Sequence, residues 1–256
     1  MLTDEFDFDK DAIIKPAYFI QRMDGIPTIA VSCFENTAME RLVELLQGQV
    51  IATTKNANSD FPVYEITYKG NEIALFMMDM GAAGAGAQLE EIYALGIETV
   101  ILFGSCGVLD QSIEDCAIII PESAVRDEGL SYHYAPPSDE IKVNLKYIPE
   151  FTALLDEVNC PYRIGKTWTT DAFYRETKEK LARRKKQGCL CVEMECSALA
   201  AVAQFREKEL FQFLYTADCL DGEQWNKRSL GNELKLTEKD AFAQLALELA
   251  IRIEKK

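Results

Sequence analysis

The sequence predicts an α/β fold in which a mixed, largely parallel central sheet is flanked by helices. Three observations predict it. Apolar, strand-like runs alternate with segments of helical periodicity. No Pro-, Gly- or Ser-rich linker divides the chain, and 256 residues suit one domain with a full core. Residues 1–256 are therefore expected to form a single domain, in which residues 1–25, lacking periodicity, form an N-terminal arm.

The composition limits the classes of function. Lys and Arg number 27 against 42 Asp and Glu, a formal net charge of −15, which argues against nucleic acid or an anionic membrane surface as partners. No apolar run reaches the roughly 20 residues of a spanning helix, and the acidic N-terminus lacks the basic region of a signal peptide. A cytoplasmic protein is expected. The eight cysteines and one histidine show no metal-ligand spacing, so we expect reduced core thiols, no metal and no organic cofactor.

The first half of the chain alternates strands and helices. Residues 27–34 are predicted to form a buried strand and 38–46 a helix. Two strands within 61–81 are joined at Lys69-Gly70-Asn71, a hairpin signal. The GAAGAG tract (81–86) is expected to be a tight turn that leads into a helix. Its G-x-x-G-x-G spacing differs from the dinucleotide fingerprint G-x-G-x-x-G, so a dinucleotide site is not favoured.

The second half continues the alternation. Its predicted strands cover residues 98–110, 114–129 with a break at Pro121, 162–168, 189–192 and 210–221. A loop is expected over 131–140. Helices are expected over 150–158, 174–188 and from Cys196, with a closing amphipathic helix over 236–255.

Polar residues gather where these strands end. In open α/β sheets, ligands bind beyond the carboxyl ends of the strands. The ends supply carboxylates, hydroxyls, a Gly-rich turn, Phe, Tyr and Met but no Lys or Arg; they are residues 79–81, 104–107, 169–174, 193–195 and 216–218. Carboxylates accept hydrogen bonds from vicinal hydroxyls, and Phe and Met cover flat apolar surfaces. The set suits a polyol joined to an aromatic ring, with a separate carboxyl as an acid.

Five ordered segments carry a family resemblance. CVEMECSALAAVA (191–203) resembles the Val-Glu-Met-Glu helix entry of the nucleoside phosphorylase and nucleosidase superfamily. MMDMGAAGAG, VILFGSCGVL, TWTTDAFY and YTADCLD resemble its other motifs in order, and PESAVRDEGLSYHYAP (121–136) is similar to uridine phosphorylases. The resemblance extends from about Pro27 to the C-terminus. It implies cleavage of a nucleoside N-glycosidic bond, with no cofactor beyond phosphate as a possible co-substrate, in a homodimer or hexamer.

The resemblance also implies roles for individual residues. Glu195 is expected to bind the ribose 2′- and 3′-hydroxyls and Asp218 to protonate a purine base as the bond breaks; these two are the expected catalytic residues. Pyrimidine-specific members carry an inserted Gln/Arg loop, and only about 19 residues separate Tyr174 from Glu193 here, so a purine is favoured. The expected substrate-binding residues are Met80, Ser105, Thr170, Phe173, Glu193, Met194 and Arg228.

The chain departs from the family at the phosphate site. The arginines of phosphorolytic members have no counterparts at residues 31–37, 102–103 or 58–60. Phosphate would then depend on Ser105, backbone N–H groups and a displaced Lys. The hydrolytic branch uses a Glu after the first strand to activate water, and Glu35 and Glu40 lie there. Phosphorolysis is preferred on overall resemblance. Hydrolysis and a non-catalytic nucleoside-binding protein remain open.

Most site residues also have a structural alternative. Glu193 suits capping of the helix that starts at Cys196 better than Glu195 does. Asp218 could form an Asx-turn, and Ser105 could simply turn the chain. Phe173 and Met194 could be ordinary core residues. For the segment 126–133, we expect an ion pair at a subunit contact and a surface or interface His133.

Overall fold

The computed structural model describes residues 6–231 and 234–254, and it confirms the predicted α/β fold. Ten strands form one mixed sheet with six α-helices around it. The strands are β1 Ile29–Cys33, β2 Gln49–Lys55, β3 Asp60–Tyr68, β4 Asn71–Met77, β5 Thr99–Val108, β6 Ile118–Asp127, β7 Glu140–Lys142, β8 Tyr162–Thr170, β9 Cys189–Glu193 and β10 Glu209–Cys219. The helices are α1 Asn36–Leu45, α2 Ala82–Leu95, α3 Ile148–Glu157, α4 Lys178–Lys186, α5 Cys196–Phe205 and α6 Leu236–Glu254.

The sheet divides at its central strand, β5. From the outer edge the order is β2, β3, β4, β1, β5, with β4, β1 and β5 parallel. Beyond β5 the sheet continues in parallel through β10, while β9 pairs antiparallel with β5 at Gly107 and Val108. Strands β10, β6, β8 and β9 connect these two paths, so that with β5 they form a closed ring. This closure brings the ends of strands that are distant in sequence to one place.

Two apolar layers hold the helices against the sheet. Alternate residues of β5 face opposite sides, as the pleat requires. Ile101 and Phe103 pack in the cluster that contains α1, α3 and α6. Val100 and Leu102 pack in the cluster that contains α2 and α5. Because both faces are covered, β5 is a continuous apolar run up to Phe103, where the Gly-Ser-Cys-Gly segment begins.

Several local expectations are confirmed and several are corrected. The hairpin at Lys69-Gly70 joins β3 to β4, and both residues have positive φ, as a two-residue hairpin turn requires. The GAAGAG tract is not a turn beyond Gly81, because α2 already begins at Ala82. Gly86 serves close packing instead, since a Cβ there would lie 2.1 Å from the Leu130 side chain. The structure adds β2, which the sequence analysis missed.

Three further boundaries differ from expectation. Strand β6 runs through Pro121 unbroken, and a register shift between Pro121 and Ser123 accommodates the missing N–H. The expected loop over 131–140 contains a short 3-10 turn, Leu130–His133, and the first residue of β7. Helix α4 begins at Lys178 rather than 174, because Thr177 caps it by accepting the Lys180 N–H. Across the described ranges, no helix is both long and apolar enough to cross a membrane.

Candidate active site

The Glu195 carboxylate joins the beginnings of two helices. Glu195 is the N-cap residue of α5, but its Oε1 accepts the backbone N–H of Gly81, the N-cap residue of α2, at 2.6 Å. Gly81 has φ +84°, a conformation that favours glycine. Burial, and secondarily the charge of Glu193, raise the pKa of Glu195 to about 8, although the Gly81 N–H opposes this. The carboxyl lines a small cavity together with Gly104 and Ser105.

Glu193 makes the contacts of a helix cap. Its Oε2 accepts the backbone N–H groups of Glu195 and Cys196 at 2.7 and 2.6 Å, and its Oε1 accepts the Thr169 hydroxyl at 2.7 Å. Burial raises its pKa, and these hydrogen bonds oppose that rise. Protein groups therefore occupy both carboxylate oxygens. The arrangement agrees with the capping alternative and holds the neighbouring Glu195 in place.

Asp218 ends β10 beside the Gly-Ser-Cys-Gly segment of β5. It pairs with Gly107, and a Cβ on that glycine would lie 3.0 Å from Asp218 Oδ1. The Trp225 indole Nε1 donates to Asp218 Oδ2 at 2.7 Å. Burial raises the pKa of Asp218, opposed by the Trp225 N–H and the charge of Arg228. Burial, with the charge of Asp218, also raises the pKa of Glu176 to about 7. Two carboxyls thus share this end of the site.

A second cavity, of about 280 Å³, is lined by Ser105 and by the buried ion pair of Glu35 and Lys239, and we call it the Ser105 cavity. Lys239 Nζ lies 2.5 Å from Glu35 Oε1 and 2.5 Å from the carbonyl oxygen of Gly231. The Tyr215 hydroxyl donates to Glu35 Oε2 at 3.3 Å, and burial raises the pKa of Tyr215. Lys239 and Glu35 are only 3% and 8% exposed, so the pair is largely shielded from water. A cation therefore lies in the same cavity as Ser105, but a carboxylate already binds it.

The other predicted substrate residues lie around this edge. Met80 is 74% exposed and directly precedes Gly81, while Met194 is half-buried between the two glutamates. Thr170 is buried and its hydroxyl accepts the Ala172 N–H at 3.3 Å. Phe173 is half-exposed on a 3-10 turn and packs on Tyr174 with ring centroids 3.9 Å apart. Their roles toward a substrate stay predictions.

Arg228 and Arg126 both bind neutral oxygens. The Arg228 guanidinium donates to the carbonyls of Ile113 and Gln111 at 2.8 and 3.4 Å, and it acts on Asp218 only through its charge. Arg126 donates to the Ser131 hydroxyl at 2.8 Å and the Pro136 carbonyl at 2.7 Å, so the expected ion pair is replaced by a network that orders the loop. In the same segment, the carboxylate of Glu128 accepts the hydroxyl of Ser197 in α5 at 2.9 Å.

The sequence analysis missed four side chains of the site: Glu176, Tyr215, Trp225 and Lys239. One of them carried a readable signal. Lys239 is spaced with Phe242, Ala243 and Ala246 on the buried face of α6, so its position predicts a buried lysine that needs a partner. Trp225 and Glu176 follow strand ends at distances that no motif fixes.

Residues 28–255 match the protein family described as the phosphorylase superfamily. The chain belongs to this family, and the predicted membership and enzymatic character are confirmed. A guanosine phosphorylase of Halorubrum lacusprofundi is 25% identical over 196 residues, covering 74% of this chain and 78% of the relative. A DeoD-type purine nucleoside phosphorylase of Colwellia psychrerythraea is 27% identical over 187 residues, covering 72% of this chain and 78% of the relative.

Solved structures share the fold. A uridine phosphorylase of Vibrio fischeri superposes with a TM-score of 0.77 at 24% identity, covering 94% of this chain and 99% of the other. A purine nucleoside phosphorylase of Toxoplasma gondii in complex with immucillin-H gives a TM-score of 0.78 at 18% identity, covering 93% of this chain and 97% of the other. At these identities the likeness establishes the fold, which is the same for the purine and the uridine enzyme.

Proposed function

We propose that the protein cleaves the N-glycosidic bond of a purine-type nucleoside and transfers the pentose to phosphate, giving free base and ribose 1-phosphate. One relationship carries the proposal. Glu195 lines a cavity with Gly104 and Ser105, and Asp218 pairs with Gly107, so the expected sugar-binding and proton-donating carboxyls flank one short segment of β5. The guanosine and purine nucleoside phosphorylases among the relatives support the purine.

The sugar would bind at Glu195. As the C1′–N bond breaks, its electron pair leaves with the base and positive charge develops on the pentose. A carboxylate that accepts hydrogen bonds from the 2′- and 3′-hydroxyls favours that charge. Its position is held by the Gly81 N–H and by the Glu193 cap below it. With a pKa of about 8, the carboxyl of Glu195 holds its proton at neutral pH when no substrate is bound. Hydrogen bonds from the sugar hydroxyls and the positive charge that develops on the pentose would favour loss of that proton.

The base would receive its proton from Asp218. Burial favours the neutral carboxyl, which can donate its proton to N7 as the electrons of the C1′–N9 bond enter the purine ring. The charge of Asp115 strengthens this preference, because a nearby carboxylate disfavours a second negative charge. The half-exposed Phe173, three residues before Glu176, supplies an aromatic face for stacking.

Phosphate would occupy the Ser105 cavity. Its attacking oxygen forms a bond to C1′ as the bond to the base breaks, and Lys239 with the Ser105 hydroxyl would hold the remaining oxygens. The Glu35 side chain must move away from Lys239 when phosphate binds, because a carboxylate and a phosphate repel each other.

The place of Glu35 in the Ser105 cavity favours hydrolysis as a second candidate function. Glu35 lies in the region after the first strand, where the resemblance places the water-activating Glu of the hydrolytic branch, and it lines the cavity together with Ser105. Glu40 is exposed on α1 and is the less suitable of the two candidates. In this reaction Glu35 would take a proton from water while the water oxygen bonds to C1′, giving free ribose.

A panel of purine and pyrimidine nucleosides, assayed with and without phosphate, tests these proposals. Phosphorolysis predicts purine release that depends on phosphate and yields ribose 1-phosphate. Full-rate release in phosphate-free buffer with free ribose would establish hydrolysis instead. Asp218→Asn should slow release of an unmodified purine at least a hundredfold, with the unfolding midpoint nearly unchanged. Binding of nucleosides with no base release on long incubation would leave a binding protein.

We also propose that the enzyme acts in the cytoplasm as a homodimer or hexamer. All eight cysteines are described, and each is a free thiol, which supports a reducing compartment. The assembly rests on the family resemblance alone. Analytical ultracentrifugation at micromolar concentration tests it, and a monomer would contradict it.

A further inference from the structure

Trp225 is an exposed tryptophan whose only polar atom is engaged at the site. Trp225 is 59% exposed, although tryptophan is largely buried in most proteins. The loop that carries it is closed by paired backbone hydrogen bonds between Cys219 and Asn226 at 2.9 and 3.0 Å. Within the loop, Asp221 Oδ1 forms an ion pair with Lys185 Nζ at 2.9 Å. The indole N–H therefore reaches Asp218 from a loop held at both ends.

Asp218 is surrounded by charges of both signs. Asp115, which lies before β6, disfavours the ionised form of Asp218. Glu176, which precedes α4, senses the same carboxyl, and the charge of Asp218 raises the pKa of Glu176. The buried Cys106 thiol of β5 also senses the charge of Asp218. Arg228 favours the ionised form of Asp218 through its charge alone, since its guanidinium donates its hydrogen bonds to backbone carbonyls. Within the described part of the chain, the hydrogen bond that the Asp218 carboxyl receives from a side chain comes from Trp225.

We propose that Trp225 is a positioning residue for Asp218, holding Oδ2 through the indole N–H so that Oδ1 faces the leaving base. This inference rests on the proposed function. In the reaction, the electron pair of the broken C1′–N9 bond passes into the purine ring, and the proton on Oδ1 passes to N7 of the same imidazole ring, which leaves the base neutral. The negative charge left on Asp218 is then shared with a donor already in place, so the carboxyl becomes a stronger acid. Gly107 leaves room for Oδ1, because it has no Cβ to approach it.

Leaving-group dependence distinguishes positioning from a merely structural role. 7-Methylguanosine carries a positive charge on its imidazole ring and leaves without protonation at N7, whereas inosine needs the proton. Trp225→Phe keeps an aromatic ring and removes the donor. We expect a loss of about tenfold or more in kcat/KM for inosine, the size of one hydrogen bond to a charged group, and less than about twofold for 7-methylguanosine. Trp225→His, which retains a ring N–H, should recover part of the inosine rate.

The pH profile gives a second readout. The indole N–H stabilises the carboxylate and so lowers the pKa of Asp218. Trp225→Phe should raise that pKa, and the loss of inosine cleavage at high pH should move to higher pH. Equal losses for both nucleosides, together with an unmoved profile, would overturn the proposal.

Fluorescence tests the contact without any turnover. The chain has two tryptophans, and the other, Trp168, is fully buried with its indole N–H on Asp127. The difference in emission between wild type and Trp225→Phe therefore reports Trp225. That difference should titrate with pH, and the titration should vanish in Asp218→Asn. A titration that survives in Asp218→Asn contradicts the contact. If wild type cleaves no nucleoside, the proposed function fails, and with it the positioning role, whatever the fluorescence shows about the contact.

Discussion

Glu195 in α5 accepts a hydrogen bond from the backbone N–H of Gly81, 114 positions earlier in the chain. Each of the two residues is the N-cap of its helix, so a single carboxylate links the beginnings of α5 and α2. The hydrogen bond from the Gly81 N–H favours a negative charge on this carboxyl. Burial and Glu193 oppose that charge. The balance leaves Glu195 able to change its protonation state near neutral pH.

Glu195→Gln should weaken binding of the ribose diol. A neutral amide accepts hydrogen bonds less strongly than a carboxylate, so we expect the Kd or KM of a purine ribonucleoside to rise about tenfold or more. The loss should be much smaller for the 2′,3′-dideoxynucleoside, which lacks both hydroxyls. Glu44→Gln, on the exposed face of α1, is the matched control. Equal effects on the two nucleosides would remove Glu195 from diol binding.

The stability of the protein should fall as pH rises past the ordinary pKa of Glu195. Between its ordinary value of 4.5 and its folded value of about 8, the unfolded chain loses this proton while the folded chain keeps it. Ionisation therefore costs the folded state on the order of a few kcal/mol by pH 9. Urea unfolding at pH 5 and pH 9 should show that Glu195→Gln is relatively more stable than wild type at pH 9. A pH-independent difference would contradict the raised pKa.

Removal of the Glu193 cap should destabilise the fold. Glu193→Ala leaves the N–H groups of Glu195 and Cys196 without their acceptor in a buried place, and we expect a loss of about 2–4 kcal/mol in the free energy of unfolding. Glu179→Ala, in the exposed first turn of α4, should barely move the urea midpoint. A small effect of Glu193→Ala would show that water replaces the cap.

The Glu35–Lys239 pair should show strong coupling. Lys239→Met leaves a buried carboxylate unpaired and should cost about 3–5 kcal/mol, whereas the double variant Glu35→Gln/Lys239→Met should recover much of that loss. Phosphate should raise the Tm of wild type but not of either variant, because ligand binding stabilises the folded state only where a site exists. Lys235→Met, on the surface, serves as the control. A phosphate effect that survives without Lys239 would locate phosphate elsewhere.

The sequence predicted most of the fold because buried strands and amphipathic helices leave clear periodic patterns. It missed β2, in which Thr54 is the one buried residue, since an edge strand with little burial has no such pattern. It also misplaced the start of α4, where the capping Thr177 decides more than helical periodicity does.

For the candidate site, the sequence indicated residues only where a motif contains them. The motifs indicated Glu195 and Asp218, whose roles stay predictions, but they did not indicate the Gly81 N–H and Trp225 that donate hydrogen bonds to them. These contacts depend on how distant segments close in space, and a motif describes only neighbours along the chain. Lys239 is the exception, because a lysine on an apolar helix face indicates a buried partner even when that partner is unknown.

Strand β5 pairs with β1 as far as Phe103 and takes up β9 at Gly107, and the backbone of residues 104–106 spans the gap. The bottom of the ligand site is therefore main chain, whose N–H and C=O groups are the same whatever side chains surround them. These backbone groups remain in place when the side chains around them are replaced. A substrate oxygen that binds these backbone groups would therefore keep its contacts when a side chain of the same edge is exchanged.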